Sequence, residues 1–210
     1  MELKITEYEG KTKEDALEKA LEELNLEEKD ILYKYKEKKG KLFKAGSFLI
    51  TVTTIKDVAD YLKEQLKELV TNMGIEVNIE SNIREEQINL KMYSDKNNIL
   101  IGKNGQTLTA ITNILKEMIH KEIGKYPYVL LDVENYKEKK ISNIERMAKR
   151  LAREVSKTKI DASMDNMNSY ERRIVHNVLT NYKHVTTISE GEEPNRHVVI
   201  KYVESKNEDE

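Results

Sequence analysis

Hydrophobic positions in this chain recur in short stretches whose period switches between two and about 3.6, a pattern of several small α/β units. Leu3, Ile5 and Tyr8 predict a first strand. Ala16, Leu17, Ala20, Leu21 and Leu24 predict a helix, capped by Thr12 with Asp15 three residues on. Ile31, Tyr33 and Tyr35 alternate into a Lys/Glu turn ending at Gly40, and Phe48, Ile50 and Val52 alternate again. Residues 1–53 therefore read strand, helix, strand, strand. A second block, residues 54–134, opens on a helix carrying Val58, Leu62, Leu66, Leu69, Val70 and Met73, stopped by Gly74. Strands follow at 75–79 and 88–92, joined by a polar turn through Ser81 and Asn82. A short helix to about Ile101 and a glycine-bounded turn lead to a helix bearing Leu108, Ile111, Ile114, Leu115 and Met118. Gly124 and Pro127 end that helix, and 128–133 reads as a buried strand. The order is α-β-β-α-α-β.

The third block, residues 135–204, begins with a long helix over 136–157. Ile141, Ile144, Ala148, Leu151 and Val155 gather on one face of it. A second helix is capped by Asn168 with Glu171 and carries Ile174, Val175, Val178 and Leu179. Strands at 185–188 and 197–203 flank the loop Ser189-Glu190-Gly191-Glu192-Glu193-Pro194-Asn195-Arg196. Residues 205–210 read as an acidic, disordered tail. The fold class expected is α+β, built from three small α/β units.

Composition narrows the function. The chain has 210 residues, 35% of them charged, with no Trp and no Cys. Without cysteine there are no disulfides, thiolate metal sites or thiol nucleophiles, and a reducing compartment suits the chain. The first residues lack an apolar h-region and no run approaches the ~20 apolar residues of a membrane span, so a cytoplasmic protein is expected. The net charge of −2 hides an uneven distribution. Residues 135–203 hold 14 basic and 9 acidic side chains, whereas 54–134 hold 10 and 13. Local potential, not the total, governs attraction of a polyanion.

Three constellations carry candidate chemistry. Gly102-Lys103-Asn104-Gly105 joins two helical segments. Its glycines let the backbone approach a phosphodiester closely, and the helix that follows presents a positive end. Lys103 offers a charge and Asn104 a neutral donor, while Ile99, Leu100, Ile101 and Leu108 would line an adjoining apolar groove for bases. Arg172, Arg173 and His176 form the second. Arg172 and His176, four apart, share a helix face, where a guanidinium binds phosphate or stacks and an imidazole stacks or hydrogen-bonds. Arg196, across the acidic loop, either joins that site or pairs with Glu192 or Glu193. The third is a stripe of Lys139, Arg146, Arg150, Arg153 and Lys157, opposite the apolar face of the long helix. Ser142 stands four residues before Arg146, and Glu145 meets Lys149 instead, so the stripe keeps its charge for phosphates. Four histidines show no metal-ligand spacing, and no phosphate-binding loop or nucleophile elbow occurs. No catalysis, cofactor or metal is expected.

The GxxG turn within an α-β-β-α-α-β order resembles a type II K homology (KH) module. Met167-Asn168-Ser169-Tyr170-Glu171-Arg172-Arg173-Ile174-Val175-His176, with the loop to Arg196, resembles an R-3-H (Arg-x-x-x-His) module. The first block adds Lys11-Thr12-Lys13-Glu14-Asp15-Ala16-Leu17 and Gly40-Lys41-Leu42-Phe43-Lys44-Ala45-Gly46, and the KH block adds Leu131-Asp132-Val133-Glu134-Asn135-Tyr136. Together they resemble the Jag, or KhpB, family over essentially the whole chain. The resemblance implies a bacterial protein that binds single-stranded RNA, acts as an RNA chaperone or post-transcriptional regulator, and affects cell elongation, division and envelope synthesis. It implies a small KH-only partner, KhpA, or KH pairing with a second copy. Residues 1–53 are the expected contact for a membrane-associated protein, and an interaction adaptor with incidental RNA contact is the competing reading. Two departures stand out: Lys103-Asn104 replaces the pair of basic residues frequent in the family, and only residues 53–57 separate the first block from the KH block.

Overall fold

The computed structural model describes residues 2–38 and 46–204. The Lys/Glu turn at Gly40, the Gly40-to-Ala45 part of the first-block motif, and the tail at 205–210 lie outside the described residues. The chain divides into two compact units, Met1–Glu134 and the residues from Asn135 onward. The expected α+β class holds, with three separate three-stranded sheets among the described residues.

In the first unit, β1 (Thr6–Gly10), β2 (Ile31–Lys38) and β3 (Ser47–Thr54) form an antiparallel sheet in the order β1-β3-β2. Helix α1 (Lys13–Leu24) covers one face. Thr12 caps it as expected, accepting from the Asp15 N–H at 3.0 Å, while the Asp15 carboxylate takes the Lys11 N–H at 2.6 Å. Ala16 and Ala20 are fully buried, and a Cβ at Gly10 would lie 2.4 Å from the Ala16 nitrogen. The helix rests directly on the strand backbone there. The expected first strand is shifted. Pairing runs from Thr6 opposite Val52 to Gly10 opposite Phe48, so Leu3 and Ile5 lie before the strand. Tyr8 and Gly10 face the core, and Ile5 is exposed.

Thr54 ends β3 and caps α2 (Ile55–Asn72), accepting from the Asp57 N–H at 2.9 Å. Then follow β4 (Asn78–Arg84), β5 (Gln87–Tyr93), α3 (Asn97–Ile101), a 3-10 turn at Lys103–Gly105, α4 (Gln106–Ile123) and β6 (Val129–Val133). This is the expected α-β-β-α-α-β order, with β4 antiparallel and β6 parallel to the central β5. Leu62, Leu66, Ile88, Leu90, Met92, Leu115, Ile119 and Leu131 make the core between helices and sheet. The expected turn at Ser81-Asn82 is corrected: both residues pair within β4, and the chain reverses at Glu85-Glu86, where Glu85 takes φ +55°. An edge strand with one solvated face carries polar residues readily. For the same reason β6 is only half buried, with Val129, Leu131 and Val133 inside and Leu130 exposed. Met73 and Ile114 are also exposed, while Ile119 and Ile123 take the core positions at the end of α4. The α4 helix packs against β2 and β3, and Lys34 Nζ donates to the Glu122 carbonyl, so the two sheets of this unit share one body.

In the second unit, α5 (Tyr136–Thr158) and α6 (Ser169–Leu179) pack on a sheet of order β7-β9-β8, formed by β7 (Ala162–Ser163), β8 (Val185–Glu190) and β9 (His197–Tyr202). Ala148, Ala152, Val155, Val175, Leu179, Val185, Val198 and Ile200 form its core. The expected pair of strands gains β7, two residues that no periodicity could signal. The close contact in the first unit gives a direct test. Gly10→Ala should destabilise the protein by at least about 2 kcal/mol in chemical denaturation, because the new methyl meets backbone that cannot rotate away.

Candidate nucleic-acid interface

Backbone geometry builds the first candidate site. Gly102 takes φ +70° and ψ −179° as the cap that ends α3, and a Cβ there would lie 2.1 Å from Thr107 Oγ1. No other residue fits. Asn104 follows in the left-handed region at φ +56°, and Gly105 at φ +86°. Gly105 is the N-cap of α4 and brings no side-chain oxygen to its first turn, where the Gln106 N–H donates to the Lys103 carbonyl, so the positive end of the helix lies at the loop. Lys103 is exposed there. The expected apolar groove is narrower than the sequence suggested. Leu100 and Leu108, at 0% and 3% exposure, belong to the core and hold the loop from beneath. Ile101 is half-buried, and Ile99 stands 48% exposed.

The second candidate site lies on α5. Arg146, Arg150 and Arg153 line an open cleft of about 480 Å³ together with Ser142, Glu145 and Lys149. Arg146 is steadied by Asn143 Oδ1 at 2.8 Å. Three of these cations belong to the helical stripe, and Lys149, four residues after Glu145, lines the same cleft. Lys139 and Lys157, at the ends of the stripe, are exposed on either side.

The Arg172 motif is arranged differently from its helical-wheel reading. Arg172 and His176 do share a face, but it is the inner face of α6. Arg172 is 7% exposed, and its Nη1 donates to the Met167 carbonyl at 2.7 Å and to Glu193 Oε1 at 2.8 Å. Glu193 thus meets Arg172, across the acidic loop, while the Arg196 carbonyl accepts the Met167 N–H at 3.1 Å and the Arg196 side chain is exposed. His176 spans to β8, with Nδ1 2.7 Å from Thr187 Oγ1 and Nε2 3.0 Å from Ser189 Oγ. Burial, and then the Arg172 charge, hold its pKa below the ordinary 6.5. Next to Arg172, Glu171 completes the expected capping box with Asn168, and its other oxygen receives Lys140 Nζ at 2.6 Å. Burial pulls the Lys140 ammonium down, and the hydrogen bond and charge of Glu171 more than reverse it. The pair fastens α5 to α6. Arg173, by contrast, points to solvent.

Among the described residues no group of three or more His, Cys, Asp or Glu side chains is placed to hold a metal ion, and no helix is long and apolar enough to cross a membrane. Two family models match the chain: the KhpA/KhpB KH domain over residues 59–130 and the R-3-H domain over residues 142–202. A protein of Clostridium symbiosum named RNA-binding protein KhpB is 38% identical over 197 residues, covering 91% of this chain and 88% of its own. Proteins of the same name from Lactiplantibacillus plantarum and Bacillus subtilis are 33% and 35% identical. Those matches cover 70% and 56% of this chain, and 45% and 58% of theirs.

Two outcomes test the inner face of α6. Arg172→Ala should lower the unfolding free energy of the second unit by about 2 to 3 kcal/mol, by stranding the Met167 carbonyl, whereas the exposed Arg173→Ala should cost less than about 0.5 kcal/mol. In histidine NMR, His176 should titrate below 6.5. Because the unfolded chain then binds the proton more readily, this group leaves stability unchanged above pH 6.5 and lowers it as pH falls further, until the folded imidazole itself protonates.

Proposed function

The chain belongs to the KhpB family, and from that premise we propose that it is a cytoplasmic RNA-binding protein that holds single strands through the Gly102–Gly105 loop and the cationic face of α5. The observation that carries the reading is the pairing of two phosphate-directed features in one chain. One is a loop whose two glycines hold a positive-φ turn that leaves Lys103 and Asn104 exposed at the start of α4. The other is a cleft where four cations meet a single carboxylate. Both act on the backbone of a nucleic acid, so they supply affinity and position more than base choice. Two modest sites on one chain also bind together more tightly than either alone, because engaging one raises the effective concentration at the other.

In this reading the modules are residues 1–53, 54–134 and 135–204. Lys103, Asn104, Arg146, Arg150, Arg153, Arg173 and Arg196 meet the strand, with Ile101 beside the bases. Arg172, His176 and Leu108 support the surface from within. The protein binds and does not catalyse. Its family membership supports a KH-only partner of the KhpA type or self-pairing, a membrane-associated contact through residues 1–53, and a post-transcriptional role in cell elongation, division and envelope synthesis.

Salt dependence tests the phosphate contacts. Replacing Lys103 or Arg150 by Gln should weaken binding to an unstructured oligoribonucleotide uniformly across sequences and reduce the slope of log affinity against log salt by about 0.7 for each charge removed. Unchanged affinity and slope in both variants would remove the proposed contacts.

A further inference from the structure

The first unit carries an aromatic feature that neither phosphate site uses. Past the end of α4, Tyr126 and Tyr128 stand 55% and 74% exposed in a chain that has no Trp. Tyr126 is held on two sides. Its ring lies on the His120 imidazole, with centroids 4.1 Å apart and planes 7° from parallel, and its hydroxyl donates to Glu117 at 3.0 Å. Both tyrosines line a cleft of about 400 Å³ together with Tyr33, where the Lys125 ammonium sits 3.7 Å from the Tyr33 ring centroid. A ring already immobilised loses little freedom when a second flat group lands on its open face.

Helix α4 connects this shelf to the glycine loop. Gln106, Ala110, Asn113, Glu117 and Lys121 are exposed and recur every three or four residues, so they form one stripe along the helix. The stripe starts at the loop and passes Glu117, which accepts from the Tyr126 hydroxyl. From Gln106 to His120 the helix rises about 21 Å. Glu28 and Glu86 also line the cleft beside Lys125. That mixture of signs suits a neutral base flanked by one phosphate better than it suits a run of backbone.

Resting on the RNA-binding reading above, we propose that Tyr126 and Tyr128 form a stacking subsite for an unpaired nucleobase of the same strand that the Gly102–Gly105 loop holds. Every base has an aromatic face, so the subsite adds affinity and length dependence without selecting sequence. Lys125 supplies a charge for the adjoining phosphate.

NMR-monitored titration separates the two sites. The probes are a tetranucleotide, the length a GxxG loop clamps, and an unstructured oligoribonucleotide of about 12 residues. Tyr126→Ala/Tyr128→Ala should bind the tetranucleotide as the wild-type protein does and lose about tenfold or more on the longer strand. Tyr126→Phe/Tyr128→Phe, which keeps the rings, should retain both affinities. Equal affinity of the Ala variant and wild type for the longer strand overturns the subsite. Loss of a protein partner by the Ala variant, with RNA affinity intact, overturns it in favour of a peptide site. Failure of the wild-type protein to bind either RNA overturns the RNA-binding reading itself.

Discussion

A guanidinium does not give up its charge, so folding Arg172 into the second unit obliges the structure to meet it with oxygen. The Met167 carbonyl and the Glu193 carboxylate do so. The consequences spread outward. Glu193 is 21 residues further along the chain, and its contact ties the acidic loop to α6. The neighbouring Glu171 caps the same helix and holds Lys140 of α5. One turn later His176 reaches Thr187 and Ser189 of β8. Successive turns of one short helix therefore fasten the loop, the long helix and the sheet. The arginine-bearing α5 is held by a scaffold in which Lys140 pairs with Glu171 and Arg172 with Glu193.

The first unit solves the corresponding problem without charge. At Gly102 the backbone passes so close to Thr107 that no side chain can be present, and Leu100 and Leu108 are anchored below. An N-cap without a side chain leaves the positive end of α4 beside the exposed Lys103. The other end of α4 is pinned by Lys34 and by its packing on β2 and β3. The glycine loop is thus mounted on a helix fixed at both ends, and a preordered loop loses little freedom on binding.

Net charge is a poor guide to such a molecule. The chain totals −2, and the unit with the glycine loop is acidic. Lysine and arginine concentrate on α5, while Arg172 of the second constellation is buried and pairs with Glu193. Attraction of a polyanion is governed by the local field of exposed groups, not by the sum.

Local chemistry determined much of what the sequence revealed. The α-β-β-α-α-β order, the caps at Thr12 and Asn168, the glycine loop and the arginine stripe each follow from periodicity or from contacts within four residues. The β4–β5 reversal was misplaced because Glu85-Glu86 carries no turn signature, and β7 was too short to have a period. Helical spacing correctly put Arg172 and His176 on one face, yet could not say whether that face looked outward. That depended on a carbonyl at Met167, which no side-chain pattern announces, and on a carboxylate and two hydroxyls brought from β8 and the loop. Position on a helix is a property of neighbours in sequence; burial and pairing are properties of neighbours in space, and only the folded chain supplies those.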